Sequence, residues 1–519
     1  MGLGRRVVSS AGLIAALTLL SRVLGLLREA MFSYFFSTSE LLSAFRIAFQ
    51  IPNLTRRMFG EGALSSAMVP VLTESLQARG EAESRRFVGV VLTAMLAVLG
   101  GLTVAAEAGL FCWRDATNDL VVDLTAILLP YGPLICAVAV AGGVLHVRGH
   151  FAVPAAAPSL LNLLMLSAMV GGGWYGGLSG RSLMYVVCAA ALAAGLLQLA
   201  ATLVALRFES LFPTLAWSWH DPQLRRVFSL MLPMALGLSA IQISTLMDSL
   251  IAYWFVIEDG QRVGPAVLGY AQFLYQLPLG VFGISIATAS FPVLSARAAA
   301  GDYHGLAEVF ERGVRLSLFI ALPSSVGLAF IARPLVAALY QRGEFDVSDT
   351  ARVSATLVYY SMGIAAYFVQ HMVARTFYAL HDSRTPARVA AATVALNLVL
   401  SLILVFPMEE RGLALATSIC AVVQVCWLIR VLMGRMAQIA WARLGEVVVR
   451  MALAAAVMLA ALVLVSLRGV GPRIWGDMAS VQVVVLVVVG AASFGVAGRL
   501  LGLEELREIS RSGDREPSG

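Results

Sequence analysis

Lysine is absent from this chain of 519 residues, so all 37 fixed positive side-chain charges are arginines. Charge of either sign is scarce, at 13% of residues against roughly a quarter in soluble domains. With 59% hydrophobic residues, the chain holds more apolar side chains than one soluble core can bury, and the surplus must face lipid. Cysteine is sparse too: Cys112, Cys136, Cys188, Cys420 and Cys426 make an odd total with no metal-ligand spacing. That excludes a disulfide framework or a zinc site and leaves small core residues. The six histidines, His146, His150, His220, His304, His371 and His381, lie mostly at loop ends without a nucleophile or metal partner at telling spacing. No catalytic constellation is present.

What is present is a succession of apolar runs, each long enough to cross about 30 Å of hydrocarbon as a helix. They predict about fourteen helices, over 9 to 36, 41 to 77, 86 to 112, 121 to 145, 155 to 177, 182 to 206, 227 to 257, 264 to 295, 314 to 340, 353 to 380, 387 to 407, 411 to 433, 445 to 467 and 480 to 500. No soluble domain fits between them. The first run continues past Arg22 and Arg28 without a small-residue cleavage site, so it reads as a retained helix rather than a signal peptide. The net charge of +6 sits in short loops, which suits anionic headgroups and topology better than nucleic acid. With both termini on the cytoplasmic side, inside loops collect Arg79, Arg85, Arg86, Arg148, Arg207, Arg225, Arg226, Arg297, Arg312, Arg384, Arg388, Arg435 and Arg443, whereas most outside loops are arginine-poor. The loops with Arg342 and Arg352, and with Arg468 and Arg473, fit this rule imperfectly.

An internal repeat is visible. Gln50-Ile51-Pro52 leads to Val69-Pro70-Val71-Leu72, as Gln276-Leu277-Pro278 leads to Phe291-Pro292-Val293-Leu294. Both copies fall on the second helix of a six-helix block, and blocks of even helix number share one orientation. The expected architecture is an all-α integral membrane protein: a lobe over 1–220, a parallel lobe over 221–440, two further helices over 441–502, and a solvated tail over 503–519.

Several charges fall where a membrane protein keeps them only for a cavity or a partner. Arg22 lies about 20 Å into the first helix. Gly25 and Glu29 share its face, and Arg28 points elsewhere. Arg56 and Arg57 lie between Pro52 and the glycines Gly60 and Gly62, beside Glu61. A helix interrupted by proline and glycine around buried charge is what a midplane binding site requires. Arg28 and Arg57 read equally well as partners of Glu29 and Glu61, whereas Arg22 and Arg56 are too deep for easy snorkelling. A guanidinium fork matches phosphate oxygens, so a phosphate or pyrophosphate substrate is implied. In the second half Asp248, Asn397, Ser401 and Thr417 combine one carboxylate with amide and hydroxyl oxygens, a donor set for sodium or a proton, or else interhelical glue.

Two stretches, Ser21-Arg22-Val23-Leu24-Gly25-Leu26-Leu27-Arg28-Glu29 and Pro52-Asn53-Leu54-Thr55-Arg56-Arg57-Met58-Phe59-Gly60-Glu61-Gly62-Ala63, closely resemble the most specific motifs of MurJ-type lipid II flippases. Less specific matches follow in order: Gln276 to Gly283, Leu339 to Phe345, and Arg375 to Pro386. The resemblance implies an arginine-lined central cavity involving Ser21, Arg22, Arg28, Arg56 and Glu61. It also implies a sodium site on Asp248, Asn397, Ser401 and Thr417, and a groove for the polyprenyl tail built with the helices over 441–502. Phe273, Ser43 and Ser401 stand where the family often carries arginine, aspartate and a carboxylate. The implied function is movement of lipid II from the cytoplasmic to the periplasmic leaflet of the bacterial inner membrane, with membrane lipids and cell-wall synthesis proteins as further partners. Rival readings within the architecture are an O-antigen or exopolysaccharide flippase and a multidrug or cation antiporter. The antiporter would need carboxylates where this chain has arginines. A pseudoflippase that scaffolds cell-wall assembly is the rival from another class.

Overall fold

The computed structural model describes residues 2–56, 65–117, 119–214, 216–467 and 479–506, and the chain is helical almost throughout. In chain order the helices are α1 (Gly2–Phe36), α2 (Glu40–Thr55), α3 (Ser65–Thr117), α4 (Leu120–Leu128), α5 (Tyr131–Val147), α6 (Ala152–Ala168), α7 (Gly180–Phe208), α8 (Pro222–Phe255), α9 (Gly264–Pro278), α10 (Ile284–Ala299), α11 (Tyr303–Tyr340), α12 (Val347–Ser361), α13 (Ile364–Ala379), α14 (Arg384–Met408), α15 (Glu410–Met433), α16 (Trp441–Leu467) and α17 (Ala479–Leu500). Among the described residues, ten stretches are long and apolar enough to cross a membrane. The other four expected runs correspond to α1, to α2 with the start of α3, to α8, and to the pair α12 and α13. This is a multi-pass helical membrane protein.

The expected break between the second and third runs, at 77 to 86, falls at Gly80 (φ 77°, ψ −176°), a kink at which two helices meet within the span of α3. Glycine adopts this positive φ without a Cβ clash. The Gln-x-Pro repeat has a shared structural consequence. After Pro52 the helix loosens into a π-type turn at Arg56, and after Pro278 it widens over Leu279–Gly283. Proline withdraws a donor and crowds the carbonyl four residues back, and a wider turn relieves both.

A two-stranded hairpin, β1 (Ile257–Glu258) and β2 (Gln261–Arg262), interrupts the helices. Asp259 (φ 47°) and Gly260 (φ 77°) form its turn, the paired positive φ of a type I′ connection. Arg262 stacks over the Tyr253 ring at 4.7 Å and lies 3.9 Å from Asp119, which accepts the Tyr253 hydroxyl at 3.0 Å. In the region flanking α9, Ser43 is fully buried and its hydroxyl accepts the Ala266 N–H at 3.2 Å, satisfying one of the open amides at that helix start.

By its internal contacts the chain forms two compact units, one of residues 1–253 with 258–266 and one of 254–257 with 267–519. α8 therefore groups, apart from its last two residues, with the first unit. Lobes defined by the repeat and units defined by contact are different partitions, since a helix can belong to one half by ancestry and touch the other. The first unit has a core of Met68, Leu72, Phe87, Val91, Val140 and Val144. The second is centred on Phe310, Met372, Phe377, Leu428, Met451 and Met458. Helices approach closely where side chains are small, as membrane bundles require. On α15 a Cβ added at Gly412 would stand 2.2 Å from the Leu404 carbonyl oxygen of α14.

Candidate functional site

In the first unit the polar residues of α1, α2 and α6 converge. Glu29 of α1 is fully buried and receives hydrogen bonds from two guanidinium groups: Arg28 Nη2 at 2.8 Å and Arg46 Nη1 at 3.3 Å, with Arg46 Nη2 on its second oxygen. Arg28 Nη1 donates to Asn162 Oδ1 of α6 at 2.9 Å, and the Asn162 amide donates to the Ser21 carbonyl at 3.0 Å. Arg46 also lies over the Phe32 ring, 5.7 Å from its centroid. A buried carboxylate must be paired, and here it is held by two arginines at once. One negative charge against two positive ones leaves this cluster at net +1, and Arg22 raises the local balance to +2.

The sequence-predicted residues take different places around this cluster. Ser21 contributes its backbone carbonyl, and Arg28 is a structural ion-pair partner as well as a cavity candidate. Arg22 is half-buried and, among the described residues, makes no hydrogen bond or ion pair. The helical rise places it about 9 Å along α1 from Arg28. The carboxylate on its own face, Glu29, is committed to Arg28 and Arg46 instead. Arg56 sits at the end of α2, where its Nε donates to Asn53 Oδ1 at 2.9 Å. Pro52 and Thr55 of the same turn pack on Gly132 of α5, where an added Cβ would stand 2.9 Å from the Thr55 hydroxyl. Glu61 and Arg57 lie outside the described residues.

Arg46 and Asn162 are functional candidates that the motifs do not point to. Arg46 lies inside the same apolar run as Arg56, so the depth argument that selects Arg56 selects it equally. Asn162 has no such signal, because a single amide in an apolar run looks like ordinary interhelical glue.

The residues proposed for an ion divide between the two units. Asp248 is buried on α8, in the first unit. In the second, Asn397 and Ser401 stand one turn apart on α14, both buried, and the Thr417 hydroxyl of α15 donates to the Leu413 carbonyl at 2.9 Å. None of the four is without a polar or electrostatic partner. Among the described residues no group of three or more histidine, cysteine, aspartate or glutamate side chains is arranged to hold a metal. A sodium site would thus rest on neutral oxygens with at most one carboxylate, a donor set that suits a hard monovalent ion.

Of the two charged positions that differ from the family pattern, Ser43 caps α9 and Phe273 is a half-buried residue of that helix. Of the later motif matches, Gln276 to Gly283 is helical, and Leu339 to Phe345 and Arg375 to Pro386 run into turns between helices. Asp382 accepts the Thr385 N–H at 2.9 Å and its hydroxyl at 2.6 Å at the start of α14, and pairs with Arg435 at 2.5 Å. Burial raises the Asp382 pKa, but these donors and the guanidinium outweigh it and hold the carboxyl at about 2.

A probable lipid II flippase MurJ of Vibrio cholerae is 32% identical over 444 residues, covering 82% of this chain and 83% of its own. One from Bdellovibrio bacteriovorus is 28% identical over 526 residues, covering 98% and 97%. Among solved structures, a lipid II flippase MurJ in an inward closed conformation superposes with a TM-score of 0.78 at 22% identity, covering 96% of this chain and all of that one. An inward-facing multidrug transporter of the MATE family gives 0.67 at 15% identity over 84% of this chain, so the fold extends to that superfamily. The family profile described as lipid II flippase MurJ matches residues 32–485. The chain therefore belongs to the MurJ family of lipid II flippases.

Proposed function

We propose that this protein moves lipid II, the undecaprenyl-pyrophosphate-linked precursor of peptidoglycan, from the cytoplasmic to the periplasmic leaflet of the bacterial inner membrane, with both termini in the cytoplasm. No bond is made or broken. The observation that carries the reading is an arginine, Arg22, with no hydrogen bond or ion pair among the described residues, about 9 Å along an apolar helix from Arg28 of the Arg28, Glu29 and Arg46 cluster. An anion leaving water needs its charge matched inside the membrane, and guanidinium groups match pyrophosphate oxygens in pairs. Glu29 and Asn162 fix the direction of Arg28, Arg22 faces the substrate, and Arg56 stands at the end of α2, with Glu61 following it in the sequence. A cation antiporter needs the opposite charge.

Translocation follows from alternating access by lobes over 1–220 and 221–440, with the tail of the lipid against the helices of 441–502. Sodium or a proton held by Asp248, Asn397, Ser401 and Thr417, or the membrane potential, sets direction. The test is rescue of cells depleted of their lipid II flippase, together with flipping of labelled lipid II in proteoliposomes. Arg22→Ala and Arg56→Ala should fail both while inserting normally, and Arg56→Lys should recover part, because a point charge replaces a fork. Full activity in either alanine variant removes that residue from the site.

A further inference from the structure

A second cluster of charge lies far from the arginines of α1, in the second unit. On α16, Arg443, Glu446 and Arg450 are spaced by three and four residues and share one face. Beyond α17 the chain turns at Gly502 (φ 71°) and folds Leu503 back into the core at 4% exposure. That fold sets Glu504 and Glu505 beside Arg315 of α11, with Arg315 Nη1 3.5 Å from Glu504 and Nε 3.4 Å from Glu505. Together these six side chains line a cavity of about 230 Å³.

Three features of the cavity specify a ligand. Glu505 is 3% exposed, and among the described residues its carboxylate has the ion pair with Arg315 but neither oxygen receives a hydrogen bond, nor does the Arg315 Nε donate one. A buried carboxylate in that condition calls for an N–H donor. Arg443, also in the lining, is exposed and without a partner among the described residues, whereas Arg450 is paired with Glu446 one turn before it. Finally, the lining charges cancel, with three arginines against three glutamates. A lone phosphate would gain the arginines and meet an equal number of acids, and a bare cation would meet the reverse. A zwitterion carrying phosphate and ammonium answers both halves. The volume is below the 300 to 1,000 Å³ typical of drug-sized ligands and suits a headgroup. The site lies at the charged first turns of α16, a helix long and apolar enough to span a membrane, where interfacial charges are expected.

We propose that this cavity binds the phosphoethanolamine headgroup of a membrane phospholipid, its phosphate on Arg443 and Arg450 and its ammonium on Glu505. The site depends on the chain spanning a membrane, not on the flippase reading, so it can fail or stand independently. The test uses the full-length protein, delipidated in detergent, with short-chain phosphatidylethanolamine, phosphatidylcholine and phosphatidylglycerol titrated under native mass spectrometry. Phosphatidylcholine keeps the phosphate but has no N–H donor, and phosphatidylglycerol has no cation. Phosphatidylethanolamine should bind at least tenfold more tightly than either. Glu505→Gln should bring it to the phosphatidylcholine level, and Arg443→Ala, at an exposed position that folding does not need, should weaken all three. Equal binding of phosphatidylglycerol, an ethanolamine preference that survives Glu505→Gln, or unchanged affinity in Arg443→Ala overturns the assignment. Free phosphoethanolamine binding as tightly as the lipid overturns the lipid as the source.

Discussion

Neutralising Glu29 should separate holding a substrate from releasing it. Its carboxylate, fully buried, is the anion that Arg28 and Arg46 contact in this state. A pyrophosphate oxygen approaching Arg28 from the other side stands about 6 Å from that carboxylate. At an effective dielectric constant of about 20, the repulsion is about 2.8 kcal/mol per unit of charge. Arg28 and Arg46 are 17% and 19% exposed at their side chains, so solvent takes up part of it, and about 1.4 kcal/mol remains. Glu29→Gln keeps the shape and removes the charge, taking the cluster from +1 to +2. Lipid II should therefore bind about tenfold more tightly to the variant. Turnover should fall, because the internal carboxylate no longer competes for Arg28 when the substrate must leave. The unpaired arginines should lower stability by about 2 kcal/mol, under the 3 to 5 of a fully buried broken pair. Binding to nanodisc-embedded protein, thermal unfolding and proteoliposome flipping measure the three quantities separately. A folded variant with unchanged or weaker lipid II affinity refutes the competition argument and leaves Glu29 a purely structural counter-ion.

Two further predictions concern the carboxylates elsewhere. Asp248→Asn should slow transport and make it insensitive to imposed sodium and proton gradients while leaving lipid II binding intact; a variant that responds as the native protein does makes Asp248 structural. The Asp382 carboxyl is held at about 2, below its unfolded value near 3.9, so its contribution of about 1 to 2 kcal/mol is present above pH 4 and lost as pH falls through 2. Asp382→Asn should remove that acid-range dependence of unfolding, measured by thermal scans between pH 5 and 2, and an unchanged profile refutes the assignment.

How much of this was legible in the sequence depends on whether the signal is local. The apolar runs, the Gln-x-Pro repeat and the charges of α1 and α2 are local, and the helices fall where the runs predict. The Asp259 and Gly260 hairpin carries its own turn signal, though it lies between two apolar runs that drew attention away from it. The break between the second and third runs is local as well: charge marks it in the sequence, and Gly80 is the kink where the two helices of α3 meet. Asn162 was not legible, since its role comes from reaching Arg28, which lies 134 residues away in sequence. The same holds for Ser43 and the Ala266 amide, 223 residues apart. Contacts made by tertiary packing leave no periodicity at either end.

Ser43 and Arg46 lie three residues apart on one face of α2, and together they change the charge of the site. Where the family often carries an aspartate, Ser43 spends its hydroxyl on the start of α9 and contributes no charge. One turn on, Arg46 adds a positive charge and sends it to Glu29. Glu29 accepts hydrogen bonds from Arg28 of α1 and Arg46 of α2, and it balances the two at once. An acid restored at position 43 would offer Arg46 a second partner within a turn and loosen its hold on Glu29. On the proposed reading the serine leaves Arg46 to Glu29, which directs Arg28, and Arg22, without a hydrogen bond or ion pair among the described residues, is the cation expected to meet an anionic substrate.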